Sequence, residues 1–500
     1  MKRFWSRLGV AAGCVALLSG CLADGARTGR QTSAAATVAK RPNVIVIIAD
    51  DLGYADISAF GIKRIHTPNI DRIGAEGAKF PVAYASAPVC GPSRAGLQTG
   101  RYQDRFGFEF NNGPGARDAN QNLGLPAGEI TIADALRKQG YHTGLVGKWH
   151  LGSNDAYYPT NRGYDEFVGI LTGATSYIDS TLPGVHNVNA EDGADAGSPA
   201  PRGKFNQVFE GPGRTVVDNY KEYLTDYFGR RASEYVTRNA RADAPYFLYL
   251  AFNAPHAPFT VTQKYYDRFP QIKDEQARIY AAMISALDDA VGEVLKAVEA
   301  SGEADNTIVY FLSDNGCAAY VPGLCSCEPL RGGKLSHYEG GVRVPFMMRW
   351  PAKIKAGTVY RNPVSTMDIF PTAIAAAGGA LPADRTFDGV DIMPYVTGKA
   401  PGQPHDILAW RRQPLVSIRK GDWKLWQSVG GGDYGQPYTL LFNLKDDPNE
   451  ATDLAARNPA KVKELQDAIA EWSKDLQDPR WPTKNSVKYN VCGTPFVVPV

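Results

Sequence analysis

Cysteine and histidine are scarce, at seven each in 500 residues, and no two cysteines stand in C-x-x-C spacing. That excludes a small cysteine-stapled domain and leaves paired-cysteine zinc modules without their ligands. Charge of one sign is missing too. Lys and Arg number 54 against 52 Asp and Glu, with no basic run or aromatic-basic patch, so nothing marks a nucleic-acid-binding surface. Beyond the N-terminus no apolar stretch is long enough to cross a bilayer. What is present, at 44% hydrophobic residues, is ample material for one large core and a smaller domain.

The N-terminus carries an address. Lys2, Arg3 and Arg7 precede the apolar run Leu8–Leu18, which is too short to span a membrane and reads as an export signal. The run ends in Leu18-Ser19-Gly20-Cys21, which resembles a bacterial lipobox; a cut at nearby small residues is the plainer alternative. The expectation is a signal over 1–20, lipid on Cys21, a flexible tether over 21–40, and an exported protein anchored in the periplasm or outer membrane of a bacterium. Cys14 then leaves with the signal, and Cys317, Cys325, Cys327 and Cys492 form an even set in an oxidising compartment, their pairing open. Cys90 is left alone. It could be inert, half of a disulfide, a metal ligand, a thiolate nucleophile or a precursor of something else.

Strand-like and helix-like patterns alternate from residue 41. Asn43–Asp51 (NVIVIIADD) is a continuous β-branched run, as expected of a strand buried on both faces. Thr131–Gly140 reads as a helix, Tyr141–His150 as strand then loop, Pro245–His256 as strand, and Thr307–Gly316 as strand. Between the last two, Ile279, Met283, Leu287, Val291, Val294 and Val298 recur at helical spacing. The fold class is therefore α/β, a large mostly parallel sheet sandwiched by helices over 41–398. Over 399–500 a smaller α+β domain follows: antiparallel strands in Pro414–Val429 and Tyr438–Pro448, then a helix across Pro459–Leu476.

Four of these strands end in chemically loaded loops: Asp50-Asp51, Lys148-Trp149-His150, His256, and Asp314-Asn315. Ligand sites of open α/β sheets lie beyond the carboxyl ends of strands, so residues far apart in sequence can converge there. Each loop alone has a bland explanation, as a turn, a helix cap or a structural histidine. Their joint placement does not. Three aspartates and an asparagine offer only oxygen, which suits Ca²⁺ or Mg²⁺ better than zinc. Arg94, Lys148, Lys334, His150 and His256 add cations and donors for a compact oxyanion.

Here a resemblance becomes specific. Cys90-Gly91-Pro92-Ser93-Arg94, continuing through Gly100, resembles the type I sulfatase signature C-x-P-S-R-x-x-L-x-T-G, with Gln98 where an aliphatic residue is commoner. Gly140–His150 is similar to the second signature of that family, G-Y-x-T-x-x-x-G-K-W-H, and Arg331–Pro345 and Lys420–Leu425 resemble sulfatases as well. The likeness covers nearly all of 41–480 and places the chain in the alkaline-phosphatase-like superfamily. It implies that a separate maturation enzyme converts Cys90 to formylglycine, whose hydrate attacks the sulfate ester with one hydroxyl and expels sulfate with the other.

The same resemblance implies roles residue by residue. Asp50, Asp51, Asp314 and Asn315 would bind the metal, Ca²⁺ with Mg²⁺ as the alternative, and residue 90 would touch it. Arg94 would steady the formylglycine hydrate, and Lys148 and Lys334 would hold sulfate oxygens. His256, helped by Lys334, would protonate the leaving alcohol, and His150 would deprotonate the remaining hydroxyl. His66, His142, His186, His337 and His405 receive no role from it; most are expected to be structural, and His337 could reach the substrate. The expected substrate is a sulfated carbohydrate. The aromatic and polar segments Phe106–Arg117 and Tyr157–Tyr177 would either bind sugar rings by stacking and hydrogen bonding or pack internally. Two other readings remain: a phosphonate or phosphate ester hydrolase of the same superfamily, and an unconverted, non-catalytic glycan-binding protein.

Overall fold

In the computed structural model the described residues are 40–112, 123–188, 207–217, 221–321, 324–325, 329–481, 486–491 and 494–499. The export signal, Cys21, most of the tether, Cys327, Cys492 and the Gly- and Pro-rich 192–204 segment lie outside them. Asn43–Ala49 forms the centre of a ten-stranded sheet. It pairs in parallel with Thr307–Ser313 on one side and Tyr246–Ala251 on the other, and His142–Lys148 and Glu166–Ile170 continue the parallel run. Phe346–Arg349 adds antiparallel to Thr307–Ser313, and the short outer strands make the sheet mixed at both edges.

The continuous apolar run of the first strand is explained by where its side chains go. Ile45 and Ile47 pack into a core with the helices Pro68–Ala75, Leu224–Asn239 and Glu275–Ala300. Val44, Val46 and Ile48 pack into a second core, with Cys90–Thr99, Ile132–Lys138 and Ile369–Ala376. Alternate residues point to opposite faces, so a strand covered on both sides has no polar position to offer. The Thr131–Gly140 expectation is met by the Ile132–Lys138 helix, with Thr131 and Asp134 closing a reciprocal capping box.

Strand spacing leaves no room for side chains at two places beside the site. Gly147, directly before Lys148, sits at φ +109, and a Cβ there would lie 1.9 Å from the Ala251 carbonyl oxygen. On the neighbouring strand a Cβ on Gly169 would lie 1.8 Å from the Gly147 carbonyl oxygen. Both obstacles are backbone, so substitution would displace the strand that delivers Lys148.

Arg41–Val500 makes one compact unit that includes the C-terminal sheet. That sheet is a four-stranded meander of Ile407–Arg412, Leu415–Lys420, Trp423–Ser428 and Tyr438–Asn443. Pro414–Val429 is thus itself a hairpin, turning at Gly421 (φ +59), because one glycine and Asp422 suffice to reverse the chain. The helix Pro459–Ser473 buries Leu465, Ile469 and Trp472 against the sheet residues Ala409, Ile418 and Leu425. Among the described residues no helix is long and apolar enough to cross a membrane.

Candidate active site

Parallel register brings the strand ends together. Ala49 pairs with Ser313, so Asp50-Asp51 and Asp314-Asn315 emerge side by side. Gly147 pairs with Ala251, so Lys148 emerges next to the loop that leads to His256. The helix Cys90–Thr99 starts opposite these ends and places Cys90 at its first position. Cys90 Sγ lies 3.5 Å from Asp50 Oδ1 and 3.8 Å from Asp51 Oδ1. One ligand atom from each of Asp50, Asp51, Cys90 and His256 falls within 4.8 Å of the others.

Cations face this cluster from three sides. Lys148 Nζ is 2.5 Å from Asp50 Oδ2, and Lys334 Nζ is 2.8 Å from Asp51 Oδ2 and 3.2 Å from His256 Nε2. Arg94 donates from Nε to Asp314 Oδ2 at 2.9 Å and from Nη1 to the Lys148 carbonyl at 3.0 Å. Asp314 therefore meets Arg94 as well as the acidic cluster, and its Oδ1 accepts the Asp51 amide at 3.2 Å. The loop bearing His256 is pinned by Tyr177, whose hydroxyl donates to the carbonyls of Asn253 and His256.

The charges set one another's protonation. Burial alone would raise the Cys90 thiol, but the Lys148 and Lys334 ammoniums outweigh it and bring it to about 7. Burial also opposes ionisation of Asp51, yet Lys334 and His256 hold it well below the usual carboxylate range. Asp50 and Asp314 move the other way, chiefly by burial; the Asp50 charge helps push Asp314 up to about 6. The two histidines separate. Burial, then Lys148 and Arg94, drives His150 well below its ordinary value, whereas for His256 the Asp51 and Asp50 carboxylates overcome burial and Lys334 and raise it. One imidazole is thus kept neutral and the other is disposed to carry a proton.

Three non-glycine residues here adopt left-handed backbone: Asp51 at φ +62, His150 at φ +59 and Leu335, next to Lys334, at φ +75. Each such conformation costs on the order of 1 kcal/mol and persists only where surroundings impose it. A cation fits the donor set. Asn315 Oδ1 is buried without a hydrogen-bond partner while its Nδ2 donates to Asp51 Oδ1 at 2.8 Å. An unsatisfied acceptor beside three crowded carboxylates suits an oxygen-seeking ion.

Family comparison agrees with this geometry. The sulfatase family profile matches residues 42–380, and that of the N-sulphoglucosamine sulphohydrolase C-terminal region matches 333–478. The chain belongs to the sulfatase family. It is 34% identical to the N-acetylgalactosamine-6-sulfatase of Homo sapiens, over 89% of each chain, and 29% identical to the arylsulfatase G of Mus musculus, over 93% of this chain and 92% of that one. Among solved structures it is similar to Ps i-CgsB in complex with k-i-k-neocarrahexaose, at 33% identity and TM-score 0.77, covering 88% of this chain and 94% of that one. The protein is a sulfatase enzyme.

The structure brings Asp50, Asp51, Cys90, Arg94, Lys148, His150, His256, Asp314, Asn315 and Lys334 to one end of the sheet. It does not bring His337, which is buried against Trp426 of the C-terminal sheet and kept neutral by burial, Lys424 and Arg412. The aromatic segments are not stacking platforms where they are described. Phe106, Phe108, Phe110, Tyr157, Tyr158, Tyr164 and Tyr177 are all buried. Cys317 and Cys325 form a disulfide, and the Cys317 carbonyl accepts the Lys334 amide at 2.7 Å. Sequence reasoning missed Asn111, whose Oδ1 accepts the Gly91 amide at 3.0 Å, and Ser93, whose hydroxyl donates to the Asp314 carbonyl at 2.5 Å. Ser93 stands inside the signature, so its position was available as a signal; Asn111 lies in the Phe106–Arg117 segment, but nothing in the sequence pairs it with Gly91.

Proposed function

We propose that this sulfatase cleaves sulfate esters of a carbohydrate, with residue 90 matured to formylglycine and a divalent cation, Ca²⁺ before Mg²⁺, held by Asp50, Asp51, Asp314 and Asn315. The observation that carries this is the seat of Cys90: first residue of its helix, 3.5 Å from Asp50, facing two lysines. When present, the cation neutralises charge on sulfate oxygens and the formylglycine hydrate supplies an oxygen nucleophile. The chain's own groups do the rest. Lys148 and Lys334 bind the remaining sulfate oxygens, and Arg94, fixed by Asp314, orients residue 90. His256, 18% exposed and so open to the leaving group, donates a proton to the departing alcohol oxygen; His150, neutral, accepts one from residue 90.

Support for a carbohydrate comes from two relatives, one named for an N-acetylgalactosamine 6-sulfate and one solved with a neocarrahexaose. Support for export is the Lys2–Cys21 pattern, which we read as an export signal with lipid on Cys21, anchoring the protein in the periplasm or outer membrane of a bacterium. Two measurements on protein made with a maturation enzyme test the reading. Mass analysis of the residue-90 peptide should show the loss expected for thiol-to-aldehyde conversion. Sulfate release should be found on N-acetylgalactosamine 6-sulfate or carrageenan oligosaccharides. An unmodified thiol in fully active protein removes formylglycine, and faster hydrolysis of phosphonate than sulfate esters removes the substrate class.

A further inference from the structure

A second buried ionic cluster lies where the C-terminal sheet meets the segment that carries Lys334. Lys424, the second residue of the strand Trp423–Ser428, places Nζ 2.8 Å from Glu339 Oε1 and 3.2 Å from Glu450 Oε1, and all three side chains are 0% exposed. Glu450 Oε2 accepts the Glu339 amide at 2.6 Å, and the Arg331 guanidinium donates to the Glu450 carbonyl. Both ends of the arc Arg331–Glu339 are thereby tied to Glu450, which itself sits at φ +52. Tyr84 donates to Glu339 Oε2 at 2.7 Å, and the Gly340 amide closes on the Arg331 carbonyl at 2.7 Å. Inside the arc, the Leu335 amide donates to the Pro88 carbonyl at 2.8 Å, two residues before Cys90.

We propose that Lys424 is a positioning residue for the sulfate-binding Lys334: by neutralising Glu339 and Glu450 together, it holds Glu450 where its carboxylate accepts the Glu339 amide and its carbonyl accepts from Arg331, and so fixes both ends of the arc that presents Lys334. The proposal rests on the reading of Lys334 given above. Two carboxylates sharing a fully buried site repel unless a cation lies between them, and removing the cation leaves an uncompensated charge. Burial, with the Glu339 charge, already lifts Glu450 against the pull of Lys424, whereas Lys424 holds Glu339 down. Lys424 is placed to act on the arc rather than on substrate, since its ammonium is enclosed by those acids and by the Trp410 ring at 5.4 Å.

A double-mutant cycle on formylglycine-bearing protein, assayed with an aryl sulfate in single turnover, separates this from general loosening. Lys424→Met should lower the rate about tenfold in the wild-type background and less than about twofold in Lys334→Ala, since coupled residues do not add. Inorganic sulfate should bind Lys424→Met more weakly, and again no more weakly than Lys334→Ala alone. Equal losses in both backgrounds overturn the proposal. Should Lys424→Met fail to fold, Glu450→Gln replaces it, with a smaller loss expected and the same non-additivity required. If Lys334→Ala itself leaves sulfate binding and turnover unchanged, the role given to Lys334 falls. Positioning fails alone if Lys334→Ala behaves as expected but the cycle is additive.

Discussion

The protein holds two buried ionic clusters of similar composition, and only one has the parts for chemistry. At the ends of the large sheet, Asp50, Asp51 and Asp314 meet Lys148, Lys334 and Arg94; under the small sheet, Glu339 and Glu450 meet Lys424, with Arg343 at 3.5 Å. Both are framed by left-handed backbone at non-glycine positions, Asp51, His150 and Leu335 in one and Glu450 in the other. They differ in access and surplus. The first opens to solvent through His256, contains a thiol at a helix start, and leaves the Asn315 acceptor unsatisfied. The second is sealed. Buried charge and strain therefore do not identify a reactive site; an unspent acceptor, a nucleophile and a way in do.

The sharpest way to break this comparison is to remove the thiol, which the second cluster lacks. Cys90→Ser keeps size and burial, so the melting temperature should stay within a few degrees, while sulfate ester hydrolysis falls by about 10⁴-fold or more, as for loss of any nucleophile. A calorimetric scan beside a turnover assay checks both halves. Substantial activity in Cys90→Ser would mean that residue 90 is not the reacting group.

Asp314→Asn tests whether the acids of the first cluster are there for a cation. It preserves shape but weakens the anchor of Arg94 and removes one charge from the donor set, so turnover should drop about a hundredfold. Chelator treatment of wild type should do the same, with Ca²⁺ restoring activity better than Zn²⁺. Asp314→Asn should then need far more Ca²⁺ for half-restoration. Restoration by Zn²⁺ alone would put a different ion in the site.

His256→Ala sharpens access into a role. The value of a general acid grows with leaving-group basicity, so a sugar sulfate should lose about a hundredfold and an aryl sulfate only a few-fold. Single-turnover measurements are the check, because slow product release would hide the difference. Equal losses would shift the proton donor to Lys334. His337 is no substitute, since it is buried against Trp426 of the small sheet.

Much of the first cluster was legible because its residues lie at ends of runs that any strand pattern exposes. Asn43–Ala49 and Thr307–Ser313 are continuous β-branched and aromatic stretches, and the acids follow them immediately. What could not be read is pairing. That Arg94 anchors on Asp314 rather than another acid depends on which strands are neighbours, and sheet order is set by packing over some 200 residues. The pairing of Cys317 with Cys325 is likewise not legible from the spacing of the four candidate cysteines. Lys424 was hidden differently. It shares a strand face with buried Trp426, opposite buried Leu425, in a short strand where a lysine ordinarily marks the solvent side, and only the partner acids reverse that.

The joint between the two regions carries the smallest expected effect. His405, just before the C-terminal sheet, places Nε2 2.8 Å from Asp368 Oδ1, and Asp368 also accepts the Ser365 and Val390 amides beside the helix Ile369–Ala376. Burial opposes protonation of His405, but Asp368 prevails, with Asp388 and Asp406 adding to it, so its value is raised. The sign follows from that direction. A histidine that binds its proton more tightly when folded contributes stability that is full below its unfolded value of about 6.5 and is lost as pH rises through the higher folded value. His405→Asn, which keeps a donor but no charge, should therefore cost about 1–2 kcal/mol of unfolding free energy at pH 5.5 and little at pH 9. Because the pair ties the connecting segment to the helix, the mutant at pH 5.5 should also unfold at lower denaturant concentration by tryptophan fluorescence, to which Trp410, Trp423 and Trp426 of the small sheet contribute among the eight tryptophans. A mutant cost that is the same at both pH values would make the His405–Asp368 contact a neutral hydrogen bond, and the joint insensitive to protonation.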